Sequence, residues 1–262
     1  MKFSKANAKI EALANHPTLS KYLEGKRKVY SFDLLSGYSC PFAEKCLSKA
    51  VLIDGKRKIK DGPKNQFRCF SASQEVQYTN VYNSRKANFE ALRNMETSDQ
   101  MRDAIQAVMP KNVGIVRIHV AGDFFNVKYF NAWLKIADQN PDVLFYAYTK
   151  SLKFWLHTTD ARPQEIPYNM VLTASRGGRD DNLISEYNLR ESVVVYSEAE
   201  AAKLGLEIDH DDSHAADPTN RHRDFALLIH GTQPKGSEAA EALKQLKRNN
   251  VKHSYSRKAV KV

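Results

Sequence analysis

Six short apolar segments, each followed by a stretch of helical character, constrain this chain more than any other feature. They are residues 28–35 (KVYSFDLL), 114–120 (GIVRIHV), 143–149 (VLFYAYT), 169–175 (NMVLTAS), 192–196 (SVVVY) and 225–230 (FALLIH). Each is long enough for a strand only, and β-branched and aromatic residues dominate them. Near-continuous apolar strands are buried on both faces, as in a parallel sheet covered by helices. The expected fold is α/β, a single domain over residues 1–262 built from about six parallel strand-helix units. Two closures fit: a partial or full β/α barrel, and an open doubly wound sheet. Both put ligands at the carboxyl ends of the strands.

The intervening segments carry helix signals. Residues 6–22 place Ile10, Leu13 and Leu19 on one side, interrupted by Pro17, and predict an N-terminal helical arm within residues 1–25. Residues 73–94 predict one long amphipathic helix, and another runs from a cap at Ser98 to Pro110. Asn126, Ser197 and Ser237 suit N-cap positions, Ser197 with Glu200 as its capping-box partner. Residues 209–223 are polar and histidine-rich and predict a solvated loop. Its His210, Asp211, Asp212, His214 and His222 match no metal-ligand spacing. The tail, residues 247–262, is basic.

The three cysteines of the chain fall in one stretch, SCPFAEKC and then FRCFSASQE, spaced Cys40-x5-Cys46-x22-Cys69. An odd number of thiols cannot all pair internally. Three thiolates are one short of a closed four-cysteine zinc or iron–sulfur site. Between Cys46 and Cys69 the run VLIDGKRKIKDG predicts a basic hairpin insert, within residues 50–68, turning at Asp54-Gly55. Folding it back returns Cys69 to the neighbourhood of Cys46. The reading that follows is a metal site with Cys40, Cys46 and Cys69 as ligands and one open position. Thiolates suit an iron–sulfur cluster and zinc alike, the latter with a histidine as fourth ligand. Three unrelated reduced thiols are the bland alternative.

Further candidates stand where the strands end. Gly122 lets the backbone come close to a ligand and Asp123 accepts from an ammonium, or the pair simply makes a tight turn. Tyr148, Lys150, Ser175 and Arg176 stand at the same edge. Lys150 and Arg176 suit a carboxylate or phosphate, against ordinary salt bridging. His119 lies within a strand, where a satisfied core histidine is the competing reading. Ser71, Ser73, Gln74 and Glu75 follow Cys69 and either line the site or start the helix. His230-Gly231-Thr232 offers backbone N–H groups to an anion.

Lysine and arginine exceed aspartate and glutamate by 40 to 30, a formal charge of +10. The hairpin concentrates this excess in Lys56, Arg57, Lys58, Lys60, Lys64 and Arg68, which would grip nucleic acid phosphates or form a solvated insert. Aromatic residues for base stacking are nearly absent there. There is no apolar run long enough for a membrane helix and no signal-peptide pattern, and three cysteines fit a reducing cytoplasm.

Taken together, SCPFAEKC, FRCFSASQE with its following helix, HVAGDFF and FYAYTKS resemble the phage gene product 88 family over roughly residues 28–180. The resemblance implies the host cytoplasm as the compartment. The layout is also similar to that of radical S-adenosylmethionine (SAM) enzymes, in which three cysteines after the first strand of a partial β/α barrel hold a [4Fe–4S] cluster. There SAM chelates the open iron, and a GGE-like turn after the second strand holds its amino group. That resemblance implies Cys40, Cys46 and Cys69 as cluster ligands, Gly122, Asp123 and Ser175 around SAM, and Lys150 and Arg176 at its anionic groups. Two departures accompany it: the usual motif is CxxxCxxC, and the turn here has one glycine and an aspartate. A nucleic-acid-binding protein with a structural or redox-sensing cluster, and a zinc-stabilised interaction protein, are the other two classes.

Overall fold

The computed structural model of the chain describes residues 1–156 and 166–251. Its strands are β1 (Ser4–Lys5), β2 (Lys28–Phe32), β3 (Ser48–Ile53), β4 (Lys56–Asp61), β5 (Val113–Ile118), β6 (Leu144–Thr149), β7 (Met170–Ser175), β8 (Glu191–Val195), β9 (Glu207–Ile208) and β10 (Phe225–Leu228). Its helices are α1 (Ala8–Glu11), α2 (Phe70–Gln77), α3 (Thr79–Arg93), α4 (Ser98–Gln106), α5 (Val127–Gln139), α6 (Leu152–Leu156), α7 (Asn182–Glu186), α8 (Glu198–Lys203), α9 (Ser213–Ala216) and α10 (Glu238–Arg248).

Eight strands form one sheet in the order β1-β2-β5-β6-β7-β8-β10-β9. The six expected strands are β2, β5, β6, β7, β8 and β10, each parallel to its neighbour and lying in chain order. A doubly wound sheet needs a reversal of strand order, and the six expected strands have none; the order departs from the chain only at the edge, where β9 lies outside β10. The sheet is not closed among the described residues. The edges are β1, antiparallel to β2, and β9, parallel to β10, and among the described residues no pairing joins them. The basic insert is a separate antiparallel ribbon of β3 and β4, turning at Asp54 and Gly55, both with positive φ.

Strand alternation sends side chains to two cores. Val116, Ile118, Phe145 and Leu172 pack with Phe89, Met101 and Trp133 from the covering helices. Ile115, Tyr146, Val171 and Phe225 face the other way, against Ile10, Leu13 and Leu19 of the N-terminal arm and Ala215 and Ala216 of α9.

Four expectations are corrected. The arm is not one helix but β1, α1 and two single-turn 3-10 segments. The long helix expected over residues 73–94 is two, α2 and α3, with Tyr78 extended between them. The ribbon supplies the reason: Arg57 Nε donates to the Glu75 carbonyl at 3.0 Å, the acceptor that a continuous helix would offer to Thr79, and Arg57 Nη2 takes Thr79 Oγ1 at 2.6 Å. The cap of α4 is Thr97, in a capping box with Gln100, not Ser98. The loop at residues 209–223 is not merely solvated, since Asp209, Asp212, Ala215 and Ala216 are all buried. Asn126, Ser197 and Ser237 do cap α5, α8 and α10. Of the basic tail, residues 252–262 lie outside the described residues.

Candidate active site and cluster cavity

The segment carrying the cysteines lies across the carboxyl ends of the parallel strands and is fastened there at three turns. After β5, Gly122 (φ +94°) meets the Cys40 loop so closely that a Cβ would stand 2.6 Å from Ser39 Oγ and 2.8 Å from Leu34 Cβ. Glycine is required at this position because of the neighbouring loop. After β7, Gly177 O accepts from Glu44 N–H (3.3 Å) and Lys45 N–H (3.0 Å), and Arg179 N–H donates to Phe42 O at 2.9 Å. After β10, Gln233 brackets Arg68, accepting its N–H at 2.7 Å and donating to its carbonyl at 3.0 Å. Gly231 there leaves room for Phe70, whose Cβ would stand 2.7 Å from an added one.

A buried carboxylate joins the two cysteine-bearing segments. Glu75 in α2 accepts from Ser36 N–H (3.0 Å) and Ser36 Oγ (2.8 Å) before Cys40, and pairs with Arg85 of α3 at 3.2 Å. Burial raises the Glu75 carboxyl above its usual range even with Arg85 and Ser36 pulling it down. Ser71 Oγ donates to Val120 O at 3.2 Å. These two residues of the FSASQE run are therefore positioning elements.

The fastening leaves a cavity of about 180 Å³ at the strand ends, with Cys40, Cys46 and Cys69 all on its wall. Gly122, Asp123, Tyr148, Lys150 and Ser175 line it too. Arg176 does not: it forms an ion pair with Glu191 through Nε and Nη2. Asp123 is buried and accepts from Thr149 Oγ1 (2.6 Å), Phe124 N–H (2.7 Å) and Lys150 N–H (2.8 Å). Burial outweighs these donors and pushes its carboxyl up to about 6. The Lys150 ammonium donates to Ser175 O (2.9 Å), Ser175 Oγ (2.7 Å) and Arg176 O (3.1 Å). Tyr148 OH donates to Asp209 Oδ2 at 3.3 Å.

Burial favours the protonated form of the Cys40 and Cys69 thiols. Burial pushes Cys40 well up, and the nearby Asp123, Cys69 and Cys46 push it further. Cys69 rises to about 11, by burial and then by the proximity of Cys46. Backbone N–H groups oppose this: Gly37 donates to Cys40 Sγ at 3.3 Å, and those of Ser71 and Ala72 lower Cys69. A cationic centre reverses such a balance, because coordination replaces the thiol proton. Cys40, Cys46 and Cys69 share one cavity wall, and thiolates are the donors that iron–sulfur clusters use. Among the described residues no group of three or more His, Cys, Asp and Glu side chains could hold a metal ion.

Other candidates separate in the same way. His119, with φ +73°, faces Tyr129 OH through Nε2 at 2.9 Å, and burial pushes it down to about 3, so it is a neutral core imidazole on the cavity wall. His230 also reaches the wall and stacks against Phe70 at 4.9 Å. His214 contacts Glu207 at 3.0 Å, away from the thiols. On the ribbon Lys56, Lys58 and Lys60 are exposed, while Arg57 points inward to α2 and α3. Lys64 pairs with Glu44 and Arg68 with Asp61.

Arg117 escapes sequence reading, and Asp212 enters it only as part of a solvated loop; both line the cavity and form a buried ion pair. Tyr146 OH also donates to Asp212, at 3.0 Å. The signal was present in one half: a lone arginine in the otherwise apolar VGIVRI requires a buried partner.

No described helix is long and apolar enough to cross a membrane. No solved structure matches the chain. The Gene 88 protein of Mycobacterium phage L5 is 35% identical over 74 residues, which cover 24% of this chain and 30% of that protein. The match thus spans under a third of that relative's length. The Gene product 88 family model matches residues 1–250, taking in every element that builds the cavity, and the chain belongs to that family.

Proposed function

We propose that this protein is a [4Fe–4S] protein in which Cys40, Cys46 and Cys69 hold three irons and the fourth stays open to a small molecule, in the manner of a radical-SAM enzyme. One observation carries the reading. Three cysteines, two of them separated by a whole ribbon, line a single cavity at the carboxyl ends of six parallel strands in chain order. That end of a parallel β/α sheet is where ligands bind. The fastening of one segment to turns after β5, β7 and β10 favours a sheet curled as a partial barrel over a flat one.

A reduced cluster of this kind supplies one electron to a ligand on its open iron. The chain's own residues bind and orient that ligand. Asp123, ionised above about pH 6, accepts from an ammonium group, and Ser175 with the Lys150 ammonium faces an anionic one. The apolar walls contributed by Ala43, Phe67 and Ile229 limit water. Arg176, committed to Glu191, has no part in this. The compartment in this reading is the reducing cytoplasm of the host.

The test is anaerobic reconstitution followed by electron paramagnetic resonance of the dithionite-reduced protein, with and without SAM. The expected result is a cluster signal that changes on adding SAM, with release of 5′-deoxyadenosine. A signal indifferent to SAM would retain the cluster and remove the SAM part.

A further inference from the structure

The β3–β4 ribbon has two unlike faces, fixed by its register. Ser48 lies opposite Asp61, Ala50 opposite Ile59 and Leu52 opposite Arg57. This is the docked face: Ser48 and Ala50 are buried, Asp61 holds Arg68, and Arg57 holds α2 and α3 and lies over the Tyr82 ring. The other face pairs Lys49 with Lys60, Val51 with Lys58 and Ile53 with Lys56. Four of its six residues are lysines. Like charges directly opposite one another on a ribbon oppose its formation. Among the described residues Lys49, Lys56 and Lys60 form no ion pair, and Lys58 has only a 3.8 Å contact with the exposed Asp54.

Lys56, Lys58 and Lys60 alternate along one strand, so their stems repeat every ~7 Å. That repeat is close to the spacing of successive phosphates along an extended polynucleotide strand. Lys49 sits at the end of the face with its ammonium 4.9 Å over the ring of Tyr38, which is itself 42% exposed. An accessible aromatic beside a row of cations is the arrangement that binds single strands, with the row tracking phosphates and the ring receiving a base.

We infer that the lysine face of this ribbon is a docking surface for a single-stranded polynucleotide. The face comprises Lys49, Lys56, Lys58 and Lys60 with Tyr38 at its end, and Arg57 does not belong to it. A membrane surface is a poorer match, because the exposed apolar residues Leu52 and Ile53 occur only at the ribbon tip. The inference does not depend on the cluster, since the docked face is fastened by Arg57, Ser48 and Arg68.

The experiment is fluorescence anisotropy of the full chain with labelled oligo-dU and oligo-U of equal length, titrated over a range of salt. The wild type is expected to bind with a log K that falls linearly with log salt. Lys56→Gln, Lys58→Gln and Lys60→Gln combined should lower the salt slope by about 2 and weaken binding roughly 100-fold at 0.1 M salt. Thermal melting should be unchanged in that variant. Arg57→Gln should lower the melting temperature and leave the salt slope as in the wild type. A preference between the two oligomers identifies the sugar chosen. No binding at low salt, a triple variant with an unchanged slope, or binding to anionic vesicles but to neither oligomer would each overturn the inference. So would an Arg57→Gln slope reduced as much as that of the triple variant.

Discussion

At the mouth of the sheet Lys150 gives its ammonium to two backbone carbonyls and a hydroxyl, while on the ribbon Lys56 and Lys60 stand in solvent and form no ion pair among the described residues. The ribbon joins Cys46 to Cys69, both on the wall of the mouth, yet the two regions treat charge oppositely. The mouth suppresses it: burial keeps Cys40 and Cys69 protonated and lifts Asp123 to about 6. The ribbon lets charge accumulate where water screens it. Groups whose charged state is unfavourable until a partner arrives suit a small, enclosed ligand. Uncompensated surface cations suit a long, exposed one.

The contrast can be broken or sharpened by substitution. The largest effect is expected at the thiols. Replacing any one of Cys40, Cys46 or Cys69 by serine should abolish bound iron and the visible absorption of the reconstituted protein, while oligonucleotide binding through the ribbon persists. Wild-type levels of iron in any of the three variants would remove that cysteine from the ligand set.

Next in size is the tie between the two cysteine segments. Glu75→Ala leaves Arg85 buried without its carboxylate, and urea unfolding should show a loss of about 3–5 kcal/mol. A loss below 1 kcal/mol would mean that the Ser71 carbonyl and Gln74 suffice to hold Arg85. The ribbon has no comparably buried pair, so its lysine substitutions should leave stability unchanged.

Asp123 comes third, and its sign is set by its raised pKa. Between about pH 4 and 6 the folded chain keeps a proton on Asp123 that the unfolded chain has released. Stability from this group is therefore full below about pH 4 and is lost as pH rises through 6, by roughly 3 kcal/mol in total. Asp123→Asn, measured in the metal-free protein against wild type, should flatten that part of the pH profile. Parallel profiles for the two proteins would contradict the burial of this carboxyl.

The smallest effect belongs to Arg57, partly exposed at the join of the two regions. Arg57→Gln should cost about 1–2 kcal/mol through its lost contacts to Glu75 O and Thr79 Oγ1. Hydrogen exchange should rise in β3 and β4 before it rises in β5.

Much of this was legible in the chain, because strand periodicity is a local property. All six parallel strands and the Asp54-Gly55 turn appear where expected, and eight of the nine candidate residues line one cavity. Three of the failures are cases in which a distant partner overrides local preference. The helix through Tyr78 is cut by Arg57, which lies 18 positions before Glu75. The loop around Asp212 looks solvated by composition and is buried because Arg117 and Tyr146 on two strands need its carboxylate. Arg176 stands at a strand end like its neighbours, but Glu191 on the adjacent strand takes it. The edge strands β1 and β9 are too short, at two residues each, to carry a pattern.

The most direct measurement is iron and acid-labile sulfide per chain after anaerobic purification and reconstitution. The account predicts brown protein with about four of each. Colourless, iron-free protein that stays so after reconstitution would contradict it, whatever the fate of the ribbon.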